Sequence, residues 1–236
     1  MRRTAMAVGG ALLLLGWSLI GTGTASAQET PVCGPPGEEV PATIVGAGRI
    51  FGTKGDDVIV ASAGNDIVFG GGGNDIICGE KGNDTLAGGK GNDVLIGDEL
   101  DSEPFAPSNG ENNDRLLGGP GDDTLAGLGG DDTLTGGPGD DQLIGFGGVD
   151  RIAGGPGADT AFGGPLDDRM SGGPGNDTLF GNFGSDVISG GPGDDFIDGD
   201  NPFPPPPDLP FPPGGNNDRC SGGPGTNTVQ NCEAAA

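Results

Sequence analysis

Between Gly52 and Gln230 the chain repeats one nine-residue pattern, a polar, glycine-rich stretch followed by an apolar residue at position eight. The clearest run, Gly118 to Asp198, divides without remainder into GGPGDDTLA, GLGGDDTLT, GGPGDDQLI, GFGGVDRIA, GGPGADTAF, GGPLDDRMS, GGPGNDTLF, GNFGSDVIS and GGPGDDFID. Five nonapeptides precede it, from Gly52 to Ile96. Another begins at Gly97-Asp98, departs for twelve extra residues and resumes as Asn109 to Leu117. A second long turn begins at Gly199-Asp200, runs through NPFPPPPDLPFP and returns as Pro213 to Ser221, and Gly222 to Gln230 completes seventeen repeats. Position six is Asp in sixteen of them and Asn227 in the last, while position eight is apolar in all, counting Ala161, Met170 and Cys220. Positions one and four are Gly in fourteen repeats each, a choice that opens backbone angles closed to other residues. A period this short predicts stacked repeats rather than a globular core. An acidic low-complexity tract without a fold would not hold two such columns.

The flanks are not repetitive. Arg2 and Arg3, an apolar run ending near Ile20 and the small residues Ala25-Ser26-Ala27 predict a secretory signal peptide over residues 1–27. The alternative, a membrane anchor, is opposed by the shortness of the apolar run and its glycines. Residues 28–51 are too few for a domain and are expected to cap the repeats, and residues 231–236 form a short tail.

Charge narrows the chemistry. The chain carries a net charge of −25, and loss of Arg2 and Arg3 makes it more acidic still. Nucleic acid and anionic lipid are thereby disfavoured as partners, and cations favoured. With no His and four Cys, zinc chemistry is all but excluded, and oxygen ligands select hard cations, Ca²⁺ above all outside the cell. Absence of His also removes the usual nucleophile–base pairs, and carboxylates at a fixed nine-residue spacing suit metal binding better than glycosidase chemistry. No enzyme is expected. Four Cys in an exported chain suggest two disulfides, with three connectivities open.

Written as GGxG[N/D]DxLx, the repeat resembles the RTX (hemolysin-type) calcium-binding nonapeptide family over most of the mature chain. The resemblance implies an all-β fold, a parallel β-roll in which six residues turn, three form a strand, and two repeats complete one coil. It implies multiple Ca²⁺ ions held between stacked turns by position-six carboxylates and turn carbonyls. The expected ligands on the odd-numbered side are Asp57, Asp75, Asp93, Asp123, Asp141, Asp159, Asp177 and Asp195, ending at Asn227. On the even side they are Asp66, Asp84, Asp114, Asp132, Asp150, Asp168, Asp186 and Asp218. Fifteen adjacent pairs result if both long turns loop out, and fewer filled sites are expected. Asn227 lacks the charge, Asn112, Leu166 and Asn216 replace the position-four Gly, and end sites are half built.

On that fold the two series of repeats differ. Even turns carry Leu128, Phe146, Leu166 and Phe183 and both insertions, so Phe105, Phe203 and Phe211 either fold onto that edge or stay in solvated loops. Arg115, Arg151, Arg169 and Arg219 fall at position seven of even repeats. The odd sheet turns Val58, Ile76, Val94 and Phe196 outward at position seven, and Val60, Cys78, Ile96, Ile144, Phe162 and Phe180 at position nine. That face is either a partner surface or ground covered by the amino-terminal cap. Pairing of Cys33 with Cys78 would pin the cap, and Cys220 with Cys232 would staple the far end. One inward side chain per nine residues offsets little of the backbone entropy lost on ordering, so the tract is expected to fold upon binding Ca²⁺. A secreted calcium-binding protein is the leading expectation, and a surface adhesion protein the alternative. Ice binding through Thr124, Thr160 and Thr178 is disfavoured because Gln142 breaks the row.

Overall fold

A computed structural model describes residues 32–33, 40–98, 112–200 and 218–232, and among these the chain is strand and turn with no helix. Each repeat ends in a strand that begins at position seven, such as Val58–Val60, Ile76–Cys78 and Arg151–Ala153. Thr124–Gly129 and Thr178–Phe183 are among those that run on into the next turn. The nine strands of odd repeats lie in a parallel sheet of ten, and the eight strands of even repeats in a parallel sheet of nine. Leu125 lies opposite Leu143, and Leu134 opposite Ile152, so two repeats make one coil of a parallel β-roll. Register survives both insertions: Leu86 faces Leu116, and Ile188 faces Cys220. The long turns therefore leave the stack unbroken.

Both sheets extend back past Gly52. Ile44–Val45 pairs with Ile59–Val60, and Arg49–Phe51 pairs with Ile67–Phe69. Val32–Cys33 and Val40–Pro41 form a separate antiparallel pair.

With a side-chain period of two, position eight points inward while positions seven and nine face out. The position-eight residues from Ile59 to Ile197 are buried in one continuous column, including Ala161 and Met170. Val229, in the last described strand, remains 43% exposed.

The outer face of the odd sheet is not uniformly open. Val58, Val60, Cys78, Ile96 and Ala126 are buried together with Cys33 and Leu128, and Ala42 packs beside them. The cap, fixed by a Cys33–Cys78 disulfide, covers that end, the second of the two readings of this face, and buries four of the ten residues named as outward. Ile144, Phe162, Phe180 and Phe196 further along stay half-buried, with Phe162 and Phe180 stacked at 4.9 Å between ring centroids. The second disulfide joins Cys220 to Cys232, with 5.9 Å between Cα atoms. Phe105, Phe203 and Phe211 and the residues 1–27 lie outside the described residues.

Candidate metal centre

All sixteen position-six aspartates named from the sequence are buried, the most accessible being Asp57 at 7%. The fold brings them into two rows, one on each edge of the roll. Within each row the backbone N–H of one Asp donates to Oδ1 of the Asp one coil later, at 2.8 Å from Asp123 to Asp141 and 2.9 Å from Asp132 to Asp150. The rows cross the insertions, from Asp84 to Asp114 and from Asp186 to Asp218, at 2.7 Å in both places. Oδ1 is thus used to splice turn to turn.

The second oxygen is different. For every position-six Asp from Asp75 to Asp195, Oδ2 is buried and accepts no hydrogen bond. A buried anionic oxygen without a partner carries a large desolvation cost, so a column of them calls for a cation. Each lies over the position-one glycine of its own repeat. A Cβ on Gly70 would sit 2.3 Å from Asp75 Oδ2 and 2.5 Å from the Gly88 carbonyl oxygen, and Gly145 stands likewise to Asp150 and Gly163. Carboxylate and carbonyl oxygens thus converge on space that only glycine leaves open. Among the described residues no three acidic, Cys or His side chains form a cage. Carboxylates therefore come one per turn, and backbone carbonyls would have to complete an oxygen shell of the kind Ca²⁺ takes.

The glycines divide the work otherwise than the sequence suggests. Position one is glycine for want of space, whereas the left-handed backbone falls at positions two and four, as at Gly137 (φ 121°) and Gly139 (φ 147°). Position three needs only its carbonyl: Pro138 O accepts from Gly121 N–H at 2.9 Å, so proline loses nothing there. In even turns Leu128, Phe146 and Leu166 adopt the left-handed conformation at about 1–2 kcal/mol each. Packing of Leu128 against the cap cluster offsets this; nothing in the structure explains Leu166.

The two ends are finished with protein groups. Asp57 Oδ2 accepts from Thr53 N–H at 2.6 Å, and Asp66 Oδ2 accepts from the N–H and hydroxyl of Ser62, both at 2.8 Å. At the other end Asn227 keeps the row with Oδ1, which accepts from Asp195 N–H at 2.8 Å, while its Nδ2 donates to the Gly223 carbonyl. Asparagine there replaces an orphaned carboxylate oxygen by a satisfied amide.

A second ladder, not anticipated, runs along position five in the opposite sense. Asn74 Oδ1 accepts from Asn92 N–H at 3.0 Å, and Asp122 Oδ1 from Asp140 N–H at 2.9 Å. The preference for Asn or Asp at position five was the signal, and its neutrality to charge marks it as hydrogen bonding. Val149, Ala158, Ser185 and Thr226 are the position-five residues that depart from Asn or Asp.

Burial pushes the position-six carboxyls from Asp75 to Asp186 above their ordinary value of 3.8. Asp75 and Asp141 rise to about 6 and Asp123 and Asp159 to about 7 on the odd side. On the even side Asp114 and Asp168 rise to about 9 and Asp132 to about 10. Desolvation is the first cause in each, and neighbouring carboxylates add to it. Raised folded-state values mean that the ion-free roll has its full stability below about pH 4 and loses it as pH climbs through 6 to 10. Acidifying the chelated protein from pH 8 to pH 4 will therefore increase its β-sheet circular dichroism, and in calcium the same change will weaken ion binding by proton competition. A chelated spectrum that stays flat across this range would contradict the assignment.

Among the described residues no helix is long and apolar enough to cross a membrane. Nothing among curated proteins matches the chain. The family model for the RTX calcium-binding nonapeptide repeat, in four copies, matches residues 45–77, 79–99, 108–143, 144–179 and 171–201. Those segments cover well over half of the chain, run through the stacked turns and include most of the aspartate rows. The chain belongs to the RTX calcium-binding nonapeptide repeat family.

Proposed function

We propose that this is an exported, non-enzymatic calcium-binding protein whose repeat tract folds as it takes up multiple Ca²⁺ ions between stacked turns. The ligands are the position-six aspartates, with those from Asp75 to Asp195 forming the built interior of the two rows and Asp57, Asp66 and Asp218 their ends. The observation that carries this reading is the column of buried Oδ2 atoms that accept no hydrogen bond. Export rests on the leader-like residues 1–27, and two disulfides suit an oxidising compartment. Attachment to a surface through Ile144, Phe162, Phe180 and Phe196 remains a second reading, supported by their partial exposure.

Asparagine substitution separates the two oxygens, because Asn retains Oδ1 and removes the charge at Oδ2, as Asn227 does. The double variant Asp132→Asn/Asp150→Asn will bind fewer Ca²⁺ ions than the parent. Asp122→Asn/Asp140→Asn, on the position-five ladder, will bind the parental number. Equal losses in both variants, measured by calcium titration, would remove position six from its assigned role.

A further inference from the structure

The outer face of the nine-stranded sheet has a composition unlike the rest of the molecule. Its position-seven column reads Arg49, Ile67, Thr85, Arg115, Thr133, Arg151, Arg169, Val187 and Arg219, each hydrogen-bonded strand to strand with the next. Every arginine outside residues 1–27 lies in this one column, and all five are exposed. Beside it, position nine reads Phe51, Phe69, Ala87, Leu117, Thr135, Ala153, Ser171, Ser189 and Ser221. Neither column contains a carboxylate, in a chain with 35 acidic residues. Phe51 and Phe69, exposed at 63% and 37%, stack at 5.2 Å at one end of this face.

Such an arrangement is not required by the roll. Thr and Val fill position seven elsewhere, and side-by-side like charges, here Arg151 beside Arg169, are destabilising. At strand spacing the column is about 38 Å long. Guanidinium groups recognise carboxylate and sulfate in bidentate fashion, and their spacing follows the sheet repeat. A pyranose chain advances per sugar by a similar step, and hydroxyl-bearing Ser and Thr with exposed rings of Phe51 and Phe69 suit its polar edges and apolar faces.

We infer that this face binds a linear acidic polysaccharide laid along the arginine column, and that it does so in the calcium-loaded state. The calcium dependence rests on the function proposed above. Without the ion the column is not assembled from an unfolded tract, and the surrounding aspartates repel a polyanion. Each Ca²⁺ cancels two of those charges, leaving a local basic strip whose field persists over the Debye length of roughly 8 Å at physiological salt.

The test measures binding of the mature chain to heparin, uncharged dextran and a DNA duplex, in calcium and in chelator, with circular dichroism on the same samples. The expected result is heparin binding in calcium that weakens with added NaCl, none to dextran, and weaker binding to DNA. The variant Arg115→Gln/Arg151→Gln/Arg169→Gln should retain the calcium-bound spectrum and bind heparin about tenfold or more weakly, because fewer counterions are released. Absence of heparin binding by the folded chain would overturn the inference. So would undiminished binding by the folded variant, which would place the contact elsewhere or make it a calcium bridge, or tighter binding to DNA. A spectrum identical in calcium and chelator would instead refute the folding claim alone, and heparin binding would still report on the column.

Discussion

Chelation of calcium from the protein will abolish most of its β-sheet circular dichroism, and excess calcium will restore it. The position-eight column supplies a single inward side chain per nine residues between two sheets. That is too little apolar burial to fix the backbone of a tract so rich in glycine, which loses more entropy on ordering than any other residue. The two aspartate rows then add buried carboxylates at coil spacing, each with its neighbours' charge beside it. An ion between turns reverses the sign of that term, so that what opposes the ion-free fold stabilises the loaded one. Disulfides constrain only the ends: Cys33–Cys78 at the first coils and Cys220–Cys232 at the last. They limit fraying without ordering the middle. A spectrum indifferent to chelator at neutral pH would refute this.

The second large effect is a single methyl group. Gly145→Ala places a Cβ 2.1 Å from Asp150 Oδ2 and 2.7 Å from the Gly163 carbonyl oxygen. Neither neighbour is a flexible chain end: the carboxylate is held by its own row, and the carbonyl belongs to the next coil. Relief requires displacing the two oxygens that the site offers to an ion. The expected cost is about 3 kcal/mol in calcium, at the upper end of overpacking effects, together with loss of affinity at the adjoining position. Gly72→Ala is the matched control. Its nearest neighbour to a new Cβ is Lys90 Cβ at 3.9 Å, and Gly72 does not adopt a left-handed backbone. Thermal melts in calcium will separate the two variants, and equal melting temperatures would show that position one is not a crowded oxygen cradle.

Much of this structure was legible because the repeat is strict. Asp at six and an aliphatic at eight fixed which residues stack and which point inward, and an eighteen-residue register followed once two repeats per coil were taken from the family resemblance. Pairing of Cys33 with Cys78 was one of three open connectivities, suggested by the outward position of Cys78. Other features were not readable from identity alone. Gly appears at positions one, two and four alike, and only the folded structure separates position one, crowded in an ordinary backbone, from Gly137 and Gly139 at positions two and four, which are crowded and left-handed as well. The position-five ladder was hidden because Asn and Asp look interchangeable with turn-forming residues; their common Oδ1 acceptor becomes visible only when the next coil's N–H is in place. Coverage of the odd face by the cap could be named as an alternative but not its extent, since burial of Val58, Val60 and Ile96 depends on where a non-repetitive segment lies. Arginine in even repeats could be seen as a periodicity, but the carboxylate-free face it belongs to needed the sheet.

The central claim is that carboxylates in stacked turns hold Ca²⁺ specifically, as a large, flexible oxygen shell permits and a rigid octahedral ion does not. Isothermal calorimetry of the chain with Ca²⁺ and, separately, with Mg²⁺ tests it most directly. The account predicts a saturating titration with several Ca²⁺ per chain, accompanied by a gain of β structure, and no saturation with Mg²⁺. Saturation and folding with Mg²⁺ alone would contradict it.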